Sequence, residues 1–277
     1  MMTKKKVLIT VTTYPLPSRS YDELVCTAGI LETGEWIRIY PVPLKFLKGL
    51  RDKGKIETFK YNWIELNLKK RSDDFRPESH SPIYYDFRDV LTLGKIGTEG
   101  NWAERKRLCT KNVYTNFLSL LEDSKPPKNI SLATFKPLEI LSFEIEKEQH
   151  REWKNEWKDL RKQGDLFESD INPEISIPKL PYKFFYRFKD DTGKVRKLMI
   201  EDWEIGALFW KCCKAAEGNE SIALQKVREK YEKEFLNKKE IFLFLGTTKE
   251  WHMRRAKNPF VIIGVFYPKK DLQAKLF

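Results

Sequence analysis

Residues 24–44 read LVCTAGILETGEWIRIYPVPL, and the fold turns on how this stretch is parsed. Two β-rich runs, about 24–31 and 35–42, flank Glu32-Thr33-Gly34. That tripeptide has the form of a short hairpin loop, with glycine in the left-handed position. A strand alternates its side chains, so Trp36, Arg38 and Tyr40 fall on one face and Ile37 and Ile39 on the other. The aromatic–basic–aromatic row is either a platform for stacking or a packed face from which Arg38 reaches water.

Working outward, KKVLITVTTYP (5–15) is a β-branched strand that Pro15 and Pro17 end, and PLPSRSYDE is a polar loop. Another strand runs through YNWIELNLKK, where Trp63, Glu65 and Asn67 alternate with Ile64, Leu66 and Leu68; SDDFRPESHSP is loop. Residues 101–123 carry Cys109, Val113, Phe117 and Leu120 or Leu121 at helical spacing and are expected to be one helix. After SKPPKN, the apolar LATFKPLEILSFEI is expected to close the first domain. At Glu144 the composition shifts to EIEKEQHREWKNEWKDLRKQ, a solvated helix with one seam of Trp153, Trp157 and Leu160, followed by a polar linker. Further on, YKFFYRFKDD and GKVRKLMI flank the turn Asp190-Asp191-Thr192-Gly193, a second hairpin. Two helices and the strands EIFLFLG and NPFVIIGVFYP complete the chain, with TTKEWHMRRAK between those strands. Repetition of hairpin, helix and closing strands predicts an α+β fold, mainly β, built as two small barrels with helical insertions.

Net charge is +12 and the pI near 9.3, an excess that favours a polyanionic partner, nucleic acid or an anionic membrane. Membrane attachment needs a basic amphipathic helix, and Glu144, Glu146, Glu148, Glu152, Glu156 and Asp159 break up the basic character of 147–162. No transmembrane run is present. Cysteines at 26, 109, 212 and 213 have no CxxC spacing, so neither a zinc site nor a disulfide framework follows. Reduced thiols and an opening unlike a signal peptide point to the cytoplasm.

CTAGILETGEWIRIYPV, followed by WIELNL, RPES and LGKIG, resembles the first half of dual OB-containing domain proteins. FKDDTGKVRKLMIEDWE and NPFVIIGVFYP are similar to the second half. The resemblance implies two OB-like barrels of prokaryotic origin. The composition shift at Glu144 divides the chain into an N-terminal OB-like domain over 1–143, a charged helix and linker over 144–176, and a C-terminal OB-like domain with a helical insertion over 177–277. It implies nucleic-acid binding and no particular reaction.

Candidate binding residues follow from charge and stacking. Trp36, Arg38 and Tyr40 form one group. Lys249, Trp251, His252, Arg254, Arg255 and Lys257 form the other, at what should be a hairpin tip on the surface. Both fit single-stranded DNA or RNA, bound through phosphate contacts and stacking. Catalysis has a thinner basis. Three histidines lack metal-ligand spacing, and no P-loop, GxSxG or GxGxxG occurs. Glu78, Lys197, Asp202 and Glu204 are the alternative, a metal-dependent nuclease set, although Asp202 equally suits a helix N-cap. No cofactor is expected. Finally QGDLF resembles the short peptide that docks on the bacterial sliding clamp. There Gln163, Leu166 and Phe167 would make the contacts, or Leu166 and Phe167 would pin the linker to its own chain.

Overall fold

The computed structural model describes residues 2–14, 16–17, 23–43, 60–153 and 178–270. Strand β1 (Met2–Thr12) pairs along both edges, with β3 (Glu23–Leu31) and with β5 (Asn62–Lys70); the short β2 (Leu16–Pro17) pairs β3. From β3 the chain turns through Gly34, at φ 91°, into β4 (Trp36–Pro43). Next to β4 lies β6 (Ser79–Pro82), which runs parallel to it, and β6 returns antiparallel to β5. The ring β1-β3-β4-β6-β5 therefore closes on itself, consistent with an OB-like barrel. Strand β7 (Leu91–Lys95) extends β5 beyond the ring.

Alternation sets the two faces of this barrel. Val7, Ile9, Val25, Ile37, Ile39, Ile64, Leu66 and Leu68 fill its interior, as the period of two in WIELNL requires. The opposite faces of β1 and β3 present Leu8, Val11, Ala28 and Ile30 outward. They are not solvated, because Leu132, Phe242, Phe244, Ile263 and Phe266 of the C-terminal half cover them.

Four expectations are corrected here. Residues 101–123 are not one helix: α1 (Glu99–Cys109) stops, β8 (Val113–Tyr114) follows, and Asn116 caps a new α2 (Phe117–Asp123) by accepting from the Ser119 N–H at 3.0 Å. Strands β9 (Leu132–Phe135) and β10 (Glu139–Lys147) do not close the first barrel. β9 pairs with β8 and with β13 (Phe242–Thr247), and β10 with β11 (Tyr182–Lys189). Glu144–Lys147 thus continue a strand instead of beginning a charged helix, because Glu144 and Glu146 lie across from Phe185 and Lys183. Lastly, the C-terminal strands form two sheets and no closed ring among the described residues. One is β10-β11-β12, with β12 (Val195–Met199); the other is β14-β13-β9-β8, with β14 (Phe260–Phe266).

Between these sheets and their helices lies the largest core cluster, rich in phenylalanine and tyrosine. Helix α3 (Trp203–Ala215) is followed by α4 (Glu220–Arg228), which runs on through a π-helical turn (Glu229–Glu234) into α5 (Phe235–Lys238). Tyr231 in that π turn is buried, and its carbonyl accepts from the Tyr186 hydroxyl at 2.7 Å.

The halves are also joined by charge. Asp202 is wholly buried at the start of α3, where it accepts from the Glu204 N–H at 3.2 Å and meets the Lys60 ammonium at 2.9 Å. Glu204 approaches the same ammonium at 3.2 Å. Burial alone would lower the Lys60 pKa, but the two carboxylates outweigh it and hold it above its ordinary value. Burial pushes the Asp202 carboxyl up to about 6 despite the attraction of Lys60.

Removing one partner of a buried pair leaves an uncompensated charge. Lys60→Ala is expected to cost about 3–5 kcal/mol in urea unfolding near neutral pH. An acid whose folded-state pKa lies above its unfolded value gains stability as pH falls through the folded value. Without Lys60 the Asp202 carboxyl rises further, so the variant takes up its proton at higher pH than the wild type, and the deficit should shrink as pH falls from the alkaline side toward about 6. A deficit that stays constant over that range contradicts the assignment.

Candidate nucleic-acid interface

The face that carries Trp36, Arg38 and Tyr40 is shared as the alternation requires, but it runs from covered to open. At its start Trp36 is half-buried and packs edge-on against Phe244, with ring centroids 5.1 Å apart. In the middle Arg38 is only 3% exposed. At its end Tyr40 is 37% exposed. Arg38 therefore makes no surface contact, a correction to its expected place on an exposed track.

Instead Arg38 joins the halves. Its Nη1 donates to Ser131 Oγ at 2.8 Å and Ser79 Oγ at 3.2 Å; its Nη2 donates to the carbonyls of Ser131 and Thr247 at 3.3 and 3.4 Å. Among the described residues Nε has no hydrogen-bond partner. Burial lowers the pKa of Arg38; the nearby Cys26 opposes this most, the Arg76 charge lowers it further, and Glu78 raises it. Glu78 is buried too. It accepts from the Ser131 N–H at 2.8 Å, the Ser131 hydroxyl at 2.7 Å and the Leu132 N–H at 3.2 Å, which leaves it committed to the backbone of β9.

Thr247, at the end of β13, gathers the next layer. Its carbonyl accepts from Arg76 Nη1 at 2.8 Å as well as from Arg38. Arg76 is held in turn by the Asp74 carboxylate at 2.9 and 2.6 Å. Burial works against that carboxylate's charge, yet the Arg76 hydrogen bonds keep it well below the usual range. The Thr247 hydroxyl lies 2.9 Å from His252 Nδ1, while His252 Nε2 lies 2.6 Å from the Ser124 carbonyl. A carbonyl only accepts, so Nε2 carries the proton and Nδ1 accepts from Thr247. His252 is thus buried, and burial lowers its pKa. Expected as a contact residue, it acts as a pin. Above it lies a helical turn, not an open hairpin loop: Thr248 accepts from the Trp251 N–H at 3.3 Å and starts α6 (Lys249–Met253).

Three surface segments converge on this pin. They are the 71–76 turn, the loop after Ser124, and 248–257. Phe75 meets the His252 ring edge-on at 4.9 Å, and the Lys249 ammonium donates to the Asp73 carbonyl. Arg71 pairs with Asp73 at 2.5 Å, donates to the Tyr40 carbonyl at 3.2 Å and lies 5.3 Å from the Tyr40 ring centroid. Outward from these contacts, Trp251 is 52% exposed, and the Arg254 guanidinium lies 5.7 Å from its ring. Arg254 pairs with Glu250 at 2.9 Å, and Arg255 and Lys257 are exposed with no carboxylate partner among the described residues. Tyr40 and the 249–257 cations, remote in sequence, are thereby brought into one neighbourhood. Arg71 and Phe75, which the sequence pattern assigns only to a loop, complete it.

The nuclease set is not assembled in this way. Asp202 and Glu204 share Lys60; Glu78 serves Ser131; and Lys197, on β12, pairs with Glu144 at 2.7 Å and Glu146 at 2.6 Å. Asp202 takes the capping role that its position before α3 allows. Among the described residues no group of three or more His, Cys, Asp or Glu side chains is placed to hold a metal ion. Gln163, Leu166 and Phe167 lie outside the described residues. No helix among the described residues is long and apolar enough to cross a membrane.

The chain belongs to the family described as a domain of unknown function (DUF8757), which matches residues 115–277; residues 3–111 match a second such family (DUF8758). Neither description is that of the dual OB-containing family that the 24–44 stretch resembles, and the closed barrel of the first half is the part of that resemblance the structure carries. No curated protein matches the chain. Among solved structures, a murine DNA-binding protein bound with double-stranded DNA is similar at 10% identity and a TM-score of 0.29, over 97% of this chain and 96% of that one. A superposition so loose carries no argument.

His252→Ala removes both hydrogen bonds beneath α6. The expected loss is about 1–3 kcal/mol in urea unfolding, with trypsin cleavage after Arg254 and Arg255 accelerated severalfold in the folded protein. Unchanged cleavage would mean that α6 is held by other contacts.

Proposed function

We propose that this protein binds nucleic acid, as a single strand of DNA or RNA, across the surface of Tyr40, Arg71, Phe75, Lys249, Trp251, Arg254, Arg255 and Lys257. The observation that carries this reading is Trp251. A large indole half open to solvent, on a short helix anchored by a buried histidine, has little packing purpose where it stands. Stacking on one such ring contributes about 1–3 kcal/mol per base. Tyr40 and Phe75 offer further exposed aromatic surface in the same neighbourhood. Arg254 over the indole, with Arg255 and Lys257 beyond it, supplies cations for phosphates between stacked bases. A flat exposed ring suits an unpaired base better than a duplex, whose bases are already stacked. The net charge of +12 supports the same class of partner.

Fluorescence anisotropy with labelled mixed-sequence single strands tests the proposal. Trp251→Ala should weaken binding by roughly 5- to 150-fold, the equivalent of one lost stack. Arg255→Ala with Lys257→Ala should lower the slope of log K against log salt by about 1.4. Absence of saturable binding by the wild-type protein at low salt overturns it.

A further inference from the structure

Many cations on this surface are neutralised where they stand: Lys4 by Glu65, Lys6 by Glu32, Arg187 and Lys197 by Glu144, Lys183 by Glu148. Four lysines at the end of the β13–β14 hairpin away from α6 have no carboxylate partner among the described residues. Lys239 and Lys269 face each other in an isolated antiparallel bridge, and the backbone bonds Glu240 N–H to Pro268 C=O and Lys270 N–H to Lys238 C=O knit the two segments together. Asn101 fixes the same place from the first half. Its side chain donates to the Lys269 carbonyl at 2.9 Å and accepts from the Lys269 N–H at 2.8 Å.

Ordinary structural roles account for only one of the four. The Lys270 ammonium donates to the carbonyls of Leu236 and Asn237 at 2.8 and 3.4 Å, closing the C-terminal end of α5. Lys238, Lys239 and Lys269 have no carboxylate partner among the described residues. Glu240, beside them in sequence, is taken by Lys136 at 2.6 Å and Lys106 at 3.5 Å. Lys239 and Lys269 stand across from one another in the bridge, with Lys238 and Lys270 next to them in sequence, so an anion brought to this place meets several cations of one sign.

We propose that Lys238, Lys239, Lys269 and Lys270 form a second phosphate-contact surface, which takes the backbone of the same nucleic acid. This rests on the reading that the Trp251 surface binds such a strand. The six residues of β13 span about 20 Å, so the two surfaces stand at opposite ends of one rigid hairpin, and only a strand long enough to reach both engages both. Lysine acts here as a point charge without the planar fork that reads a base edge, so the second surface adds affinity and salt dependence without sequence preference.

The test compares the wild-type protein with Lys238→Gln/Lys239→Gln/Lys269→Gln/Lys270→Gln, with folding checked by circular dichroism. With a long mixed-sequence single strand, the slope of log K against log salt should fall by about 2–3, while the effect of Trp251→Ala is retained. An unchanged slope, with wild-type binding intact, overturns this inference and leaves the Trp251 surface standing. No wild-type binding overturns both. If the substitutions instead abolish sedimentation with phosphatidylserine vesicles and leave the oligonucleotide slope untouched, the patch reads lipid headgroups and the inference is wrong.

Discussion

A guanidinium buried between two halves of one chain governs this structure. Arg38 cannot be removed from water without partners, and the groups that compensate it come from both sides: Ser79 from the barrel, Ser131 and Thr247 from the C-terminal sheet. Glu78 supplies the opposite charge and is itself bonded to the backbone at Ser131 and Leu132. Separating the halves would strand both charges and expose Phe244, Ile263 and Phe266 as well. The seam is thus polar at one end and apolar along its length, and its polar part adds position where the apolar part adds most of the stability.

Position is what the surface needs. Thr247 accepts Arg38 and Arg76 from beneath and gives its hydroxyl to His252, so the last residue of β13 ties the seam to α6. Trp251 and Arg254 are therefore presented by a backbone whose entropy is already lost on folding, which lowers the cost of ordering them on a ligand. The 71–76 turn arrives at the same place through Arg76 and Phe75, and brings Arg71 beneath Tyr40. Charge follows a related logic at the other end of the hairpin, where Asn101 and the Lys239–Lys269 bridge gather lysines that no carboxylate among the described residues pairs with.

Much of the first barrel was legible in the sequence. Alternation in WIELNL and across Trp36–Tyr40 is a local property of strands and appears as expected, and the Gly34 turn needs only its own left-handed backbone. What was not legible is which side of a sheet is covered. Trp36, Arg38 and Tyr40 do share a face, yet that face meets a sheet more than ninety residues away in sequence, and no periodicity encodes this. The same cause hid the fate of Glu78 and His252, polar residues in loop-like sequence that tertiary packing buries. Helix limits failed for a smaller reason. Asn116 is a cap whose signal is masked by apolar residues at helical spacing, and Glu144–Lys147 carry enough charge to resemble a solvated helix while pairing as an edge strand.

Hydrogen exchange, compared with and without a saturating single-stranded oligonucleotide, addresses the central claim most directly: a shared seam presents one binding surface built from three remote segments. The account predicts that the oligonucleotide slows exchange together at the 71–76 turn, the loop after Ser124 and residues 248–257. Amides of β4 and β9 around Arg38 and Ser131 should be protected already in the free protein. Slowing confined to the exposed face of β10-β11-β12, or rapid exchange around Arg38 and Ser131 in the free protein, would contradict it.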